Sequence, residues 1–138
     1  MTTTLSIPSP AMHTEVATRH GWSAPRVLLQ LEAAAICVAA VIAYRHLGAS
    51  GRLFAALILI PDLSMLGYLV STRVGAITYN AVHNYLAPAV LAGFGLLLGS
   101  HLALVLATIW LAHVGADRAM GYGLKYATAF RATHLGRV

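Results

Sequence analysis

The chain has 138 residues, of which 59% are hydrophobic and only 9% are charged, and its mean hydropathy is +0.75. Soluble domains carry about 25% charged residues, so this composition excludes an ordinary soluble protein and leaves no room for a separate soluble domain. The net charge of +5 comes from Lys and Arg residues that flank apolar runs, which indicates contact with anionic lipid headgroups and not with nucleic acid.

Four apolar runs follow a polar N-terminal tail. Residues 1–26 are polar and hold three of the five prolines, so we predict a tail there and a transmembrane domain over residues 27–138. The predicted spans are 27–44, 53–70, 77–98 and 102–120, and each approaches the roughly 20 residues that a crossing helix needs. Short connections join antiparallel neighbours. The sequence therefore predicts an all-α fold, an integral membrane bundle of four transmembrane helices.

The distribution of Lys and Arg predicts the orientation of this bundle. Seven of the nine basic residues fall before the first span, between the second and third spans, or at the end of the fourth span and beyond it. Only Arg45 and Arg52 fall on the other side. By the positive-inside rule, both termini face the cytoplasm.

Three of the four acidic residues lie inside or at the edge of apolar runs, where a carboxylate costs a few kcal/mol. These are Glu32, Asp62 and Asp117. At about 1.5 Å per residue, they fall within roughly 5–12 Å of the cytoplasmic boundary, as do His83 and His113. Each span contributes at least one such group, which favours one polar site in the cytoplasmic half of the bundle.

The fourth span carries the strongest local signal. His113 and Asp117 are four residues apart and therefore share one helix face. An imidazole and a carboxylate at this spacing can both ligate a metal ion, or they can form a hydrogen bond that fixes the imidazole tautomer. Gly115 between them allows another helix to approach closely.

The third span begins with many hydrogen-bonding side chains, since Asn80, His83 and Asn84 fall on one face and Tyr79 lies four residues before His83. Such groups must be satisfied by protein or water at membrane depth. Pro88 cannot donate to the carbonyl of Asn84, so that oxygen is freed near His83. Beyond the fourth span, Tyr122, Lys125 and Arg118 suit either a phosphate or ordinary anchoring at the headgroups.

In chain order, these motifs resemble the domain-of-unknown-function family 4260, which comprises small bacterial membrane proteins. The residues that carry the resemblance are Pro61-Asp62-Leu-Ser64-Met-Leu-Gly67-Tyr68, Gly75-Ala76, Tyr79-Asn80 with His83, Ile109-Trp110-Leu-Ala-His113-Val-Gly115-Ala-Asp117-Arg118, Gly121-Tyr122-Gly123-Leu-Lys125-Tyr126, and Phe130 with Thr133-His134-Leu-Gly136. The resemblance runs from about Leu28 to Gly136. It implies a bacterial cytoplasmic-membrane protein in which these polar positions belong to the family pattern, and it implies no catalytic roles.

Two functional classes follow from the residues. The first is a metal-dependent hydrolase that acts on a lipid or its headgroup, with an ion such as zinc that lowers the pKa of a bound water. Its metal ligands would be Asp62, His83, His113 and Asp117. Glu32, Asp62 and Asp117 would be its catalytic carboxylates, and Tyr79, Asn80, Arg118, Tyr122 and Lys125 its further binding residues.

The second class is transport or a proton relay, in which the same acids and histidines line a polar path. The third alternative is a non-catalytic bundle, in which the polar network only fixes how the helices pack. In each case the expected partners are membrane lipids. A second copy of the chain is a further expectation, because a four-span chain of this size has little internal volume.

Overall fold

A computed structural model describes residues 23–136, and within them the chain folds into helices. The α-helices are α1 (Ala24–His46), α2 (Gly51–Leu57), α3 (Thr72–Val82), α4 (Leu86–Leu97) and α5 (His101–Ala119), with 3-10 helices at Ile60–Leu69 and His134–Gly136. The described residues form no strand, and their only β-pairing is an isolated bridge between Lys125 and Thr133. The all-α prediction is confirmed. Most of the predicted tail lies outside the described residues, and its last three residues already belong to α1.

Serine residues fix where four of the helices begin. The side-chain oxygens of Ser23, Ser50, Ser71 and Ser100 each accept a hydrogen bond from the backbone N–H three residues later, at 3.1–3.3 Å. Each bond satisfies an N–H group that has no partner inside its helix. Such a cap contributes about 1 kcal/mol, so the starts of α1, α2, α3 and α5 are set locally by the sequence.

Close packing of α1 against α5 organises the centre of the fold. A Cβ atom added to Gly115 would lie 2.9 Å from the backbone nitrogen of Cys37 and 3.0 Å from the carbonyl oxygen of Ala33. The two backbones therefore meet at a position that only glycine fits, as small residues allow in membrane helices. α4 packs on α5, where Gly95 lies against Leu104, and α3 packs on the 3-10 helix Ile60–Leu69.

Three helical segments are long and apolar enough to cross a membrane. They are Ala24–His46, Gly51–Leu69 (α2 and the following 3-10 helix together) and His101–Ala119, with mean hydropathies of 2.1, 1.6 and 1.3. Large apolar side chains on them are exposed, including Leu31, Ile42, Leu63 and Leu66. Exposed apolar surface on this scale indicates contact with lipid.

The predicted third span is not one continuous helix, so this part of the prediction is wrong. α3 ends at Val82 and α4 begins at Leu86. Asn84 stabilises the break because its Nδ2 donates to the carbonyl of Asn80 at 2.9 Å and its Oδ1 accepts from the N–H of Ala87 at 3.0 Å. Pro88 cannot make the helical bond to Asn84 in any case. The side chain of Asn84 thus completes the end of one helix and the start of the next.

The segment after α5 folds back over the end of the bundle. It leaves α5 at Gly121, whose φ of +93° favours glycine. The segment then turns so that the N–H of Tyr126 donates to the carbonyl of Ala132 at 2.8 Å. Lys125 and Leu135 are buried by this return. The fold therefore places a short C-terminal segment directly beside the polar ends of α3 and α5.

Candidate metal centre

Four side chains converge from three helical elements. Asp62 lies in the first turn of the 3-10 helix Ile60–Leu69, His83 follows the last residue of α3, and His113 and Asp117 lie one turn apart on α5. The side chains of His83 and His113 are 2% and 5% exposed, that of Asp117 is 16% exposed, and that of Asp62 is 40% exposed. The cluster is therefore closed on the protein side and open at Asp62.

The spacing of the four side chains suits a single ion. His83 Nε2 lies 3.1 Å from His113 Nε2 and 3.4 Å from Asp62 Oδ1, and it lies 3.6 Å from Asp117 Oδ2. His113 Nε2 lies 3.6 Å and 3.8 Å from the same two oxygens. All the ligand atoms fall within 4.8 Å of one another. In a tetrahedral zinc site with bonds of about 2.0–2.1 Å, ligand atoms lie about 3.3–3.4 Å apart.

The surroundings of His83 aim its Nε2 lone pair at the cluster. Its Nδ1 lies 3.1 Å from the carbonyl oxygen of Tyr79, to which it donates, and 3.4 Å from Ser64 Oγ. A proton on Nδ1 leaves Nε2 unprotonated, as a metal ligand requires. The Tyr79 ring stacks on the imidazole at 3.7 Å between centroids, with an angle of 11° between the planes.

Tyr79 also holds Asp117, because its hydroxyl donates to Asp117 Oδ2 at 3.2 Å. One residue therefore orients two ligands that come from different helices. In metal sites, hydrogen-bond partners such as Tyr79 fix the orientation of the residues that bind the metal directly. The ring of Tyr79 is buried, so both contacts are held away from solvent.

The break in the third span positions His83. Two carbonyl groups at the end of α3 accept hydrogen bonds from α5: the carbonyl of Val82 accepts from Trp110 Nε1 at 2.8 Å, and that of His83 accepts from Arg118 Nη2 at 3.2 Å. Backbone groups freed at a helix end must find such partners when they are buried. The end of α3 is thereby fixed against the helix that carries His113 and Asp117.

A cleft of about 650 Å³ opens onto the cluster. Asp62, His113 and Asp117 form part of its lining. The remainder is Ile58, Leu59, Met65, Tyr79, Ala116, Met120, Tyr122, Lys125 and Phe130. Most of these side chains are apolar, so the cleft suits a molecule with an apolar body and a polar end.

Lys125 brings a positive charge to this cleft. Its Nζ donates to the carbonyl oxygen of Phe130 at 2.9 Å and lies 4.3 Å from the centroid of the Phe130 ring. Among residues 23–136, no carboxylate lies within ion-pair distance of this ammonium. Burial lowers the pKa of Lys125, an effect that the charge of Asp117 opposes. The residue is thus a buried cation with two N–H groups left to donate.

The structure brings together some of the residues singled out from the sequence and separates others. Asp62, His83, His113 and Asp117 form the cluster, and Tyr79 supports them. Tyr122 and Lys125 line the cleft, and Asn80 holds the backbone of Lys125. Glu32 and Arg118 line a different pocket. Sequence reasoning named Ser64 and Trp110 only within the family motifs and gave them no role in the site, because their contacts with His83 and Val82 are long-range and leave no local spacing signal.

Comparison with known proteins identifies the family of the chain but no individual relative. The model of a family described as Domain of unknown function (DUF4260) matches residues 26–138, which confirms the resemblance drawn from the motifs. No curated protein and no solved structure gives a significant match to the chain.

Proposed function

Since this chain belongs to the DUF4260 family, whose description assigns no activity, we propose its function from the site itself: it is a metal-dependent hydrolase of the bacterial cytoplasmic membrane that acts on a lipid or lipid headgroup. The observation that carries this proposal is the cluster of two imidazoles and two carboxylates at the wall of an apolar cleft. Two nitrogens and two oxygens are a donor set that suits zinc.

The proposal includes four membrane crossings with both termini in the cytoplasm. α1, the segment Gly51–Leu69 and α5 would each cross once, and α3 and α4 together would form the broken third crossing. A broken helix is tolerated at membrane depth where it is buried in protein, and Trp110 and Arg118 bury the end of α3 in this way. Active cytoplasmic reporters at Val138 and inactive ones within residues 47–50 would support this topology. The reverse pattern would contradict it.

Three buried ligands and one open carboxylate give the site its division of roles. His83, His113 and Asp117 would hold the ion, because all three are mostly buried. Asp62 would either complete the ligand set or accept the proton of the attacking water, because its side chain is the one that opens to the cleft. When bound, the ion lowers the pKa of a coordinated water and polarises the bond that is cleaved.

Lys125 indicates the kind of substrate. A buried ammonium without a carboxylate partner favours an anionic group such as a phosphate or carboxylate. The apolar walls of the cleft would take the chain of the same molecule. An amphiphile with an anionic headgroup therefore matches both parts of the lining, and Tyr122 at the rim adds a hydroxyl.

The first test is the metal content of protein purified in detergent and stripped with a chelator before reloading. Wild type is expected to bind about one zinc ion per chain with a ligand set of this size. His113→Gln should lose this binding, whereas the matched variant His46→Gln should keep it, because His46 is exposed at the end of α1 and is not one of the clustered ligands. Absence of stoichiometric metal from folded wild type would overturn the proposal.

The second test is hydrolysis of a phospholipid and of a lipid phosphate in mixed micelles, followed by mass spectrometry of the products. Activity should require metal, disappear in Asp62→Asn, and show a raised KM in Lys125→Gln. If the protein binds stoichiometric metal but hydrolyses neither substrate, the metal site is supported and the proposed hydrolase activity is contradicted.

A further inference from the structure

A second pocket borders Arg118 of α5, the residue that follows the cluster ligand Asp117. It has a volume of about 80 Å³ and lies between α1, α5 and the C-terminal segment. Its polar side chains are Glu32, Tyr85, Arg118 and His134, and its apolar lining comes mainly from α1. The hydrolase proposed above makes no use of this pocket.

The hydrogen bonds of His134 leave an excess of donors in this pocket. Its Nδ1 accepts from the backbone N–H of Leu124 at 2.8 Å, so a neutral imidazole carries its proton on Nε2. That Nε2 lies 3.3 Å from Arg118 Nη1, which is also a donor because the guanidinium stays protonated. Two N–H groups therefore face each other with no acceptor between them, an arrangement that an anion would relieve.

Tyr85 adds a third donor. Its hydroxyl is buried and has no hydrogen-bond partner, and its ring lies 5.4 Å from the guanidinium carbon of Arg118. Buried hydroxyl groups are nearly always paired. Tyr85, Arg118 and His134 thus bring three donor groups to the lining of one small pocket, a combination that suits an oxyanion.

Glu32 supplies the opposite charge at the edge of the same pocket. Its side chain is exposed, and among residues 23–136 it has no cation within ion-pair distance, Arg118 included. It lies in the first half of α1, where the apolar side chains of Leu28 and Leu31 are exposed beside it. A carboxylate that faces lipid at such a position needs a cationic partner, and the described residues provide none.

We propose that this pocket binds the headgroup of a zwitterionic phospholipid with a primary ammonium, such as phosphatidylethanolamine. Arg118, His134 and Tyr85 would bind the phosphate oxygens, and the Glu32 carboxylate would bind the ammonium. The pocket is much smaller than the cleft of about 650 Å³, so it suits a headgroup and not an acyl chain. The acyl chains would lie along the exposed leucines of α1.

The test measures lipid association with the full chain reconstituted in vesicles of phosphatidylcholine. Spin-labelled phosphatidylethanolamine, phosphatidylcholine and diacylglycerol are compared by electron paramagnetic resonance. Preference for phosphatidylethanolamine over phosphatidylcholine reports the ammonium contact, and preference over diacylglycerol reports the phosphate contact. Wild type is expected to show both preferences, each about tenfold, as a hydrogen bond to a charged group typically gives.

The variants separate the two contacts. Glu32→Gln should remove the preference for phosphatidylethanolamine over phosphatidylcholine and keep the preference for it over diacylglycerol. Tyr85→Phe should weaken the preference for phosphatidylethanolamine over diacylglycerol. Tyr68→Phe is the matched control, because its hydroxyl is also buried without a partner but lies outside this pocket, and it should behave as wild type. Wild type without either preference, or preferences that survive both pocket variants, would overturn the proposal. Metal-stripped protein should give the same results, so the outcome is independent of hydrolysis.

Discussion

Asn80 of α3 holds the backbone of Lys125 as a neighbouring strand would. Its Oδ1 accepts from the N–H of Lys125 at 2.7 Å, and its Nδ2 donates to the carbonyl oxygen of Lys125 at 2.8 Å. One amide side chain thereby satisfies both backbone groups of a buried residue. This pairing fixes the C-terminal segment over the cleft and sets the position of the Lys125 ammonium.

Asn80→Ala is therefore expected to release the C-terminal segment. The variant loses two hydrogen bonds and leaves two buried backbone groups of Lys125 unpaired, which should lower the free energy of unfolding of this segment by about 2–4 kcal/mol. Cleavage by trypsin at Lys125 in native detergent micelles should accelerate, while α1 and α5 stay intact. Thr128→Ala, at an exposed position of the same segment, is the control. Equal cleavage rates for Asn80→Ala and wild type would contradict the role of this pairing.

Tyr79→Phe should weaken metal binding without unfolding the protein. The variant keeps the ring stacked on His83 and loses only the hydroxyl that donates to Asp117. Partners of this kind typically contribute about 10–100-fold in metal affinity. Competition with a chromophoric chelator measures the change, and Tyr122→Phe, an exposed tyrosine of the cleft, provides the comparison. Identical affinities in the two variants would show that the hydroxyl does not orient Asp117.

Gly115→Ala should destabilise the contact between α1 and α5. The new methyl group would lie about 3 Å from backbone atoms of Cys37 and Ala33, and overpacking of this kind costs about 1–3 kcal/mol. Thermal unfolding in detergent should show a lowered Tm. Gly93→Ala is the matched control on α4, where a Cβ meets nothing within 4 Å; it should raise stability slightly, since alanine is the better helix former. A lowered Tm in both would point to a general effect of the substitution.

The C-terminal segment should loosen on mild acidification. Burial, together with the charge of Arg118, lowers the pKa of His134, so the unfolded segment binds a proton more readily than the folded one. Stability is then fully present above the unfolded pKa of about 6.5 and falls as the pH drops below it. Protonation also removes the Nδ1 acceptor used by the N–H of Leu124.

Hydrogen exchange of residues 121–136 between pH 7.5 and 5 measures this loosening, after correction for the intrinsic pH dependence of exchange. His134→Asn should flatten the pH dependence, whereas His46→Gln should leave it as in wild type. A profile in His134→Asn that matches wild type would assign the effect to another group.

The sequence was informative where a signal is local. The spacing of His113 and Asp117 placed two candidate ligands on one face of α5, and apolar run lengths located three segments that are long and apolar enough to cross a membrane. The break between α3 and α4 was not predicted, because it depends on Asn84 and on hydrogen bonds from Trp110 and Arg118. Asn84 acts locally, but Trp110 and Arg118 are distant in sequence from the end of α3, and their geometry exists only in the folded chain.

Glu32 shows why depth alone does not define a site. Its predicted distance from the cytoplasmic boundary matches that of the cluster residues, and for this reason the sequence assigned it to the same site. Depth fixes position along a helix and says nothing about rotation around it. α1 packs on α5 through its small residues near Ala33 and Cys37, and this contact turns Glu32 toward the pocket shared with Arg118 and His134.

The ends of two helices give the metal centre an electrostatic character beyond its carboxylates. α3 ends immediately before His83, and α5 ends two residues after Asp117. Aligned peptide dipoles leave about half a negative charge at each helix C-terminus, and two such ends converge on the cluster, although the guanidinium of Arg118 offsets part of the charge at the end of α3. The backbone itself therefore favours a cation there and repels an anion. A negatively charged substrate group would have to approach from the side of Lys125, whose ammonium offsets this field.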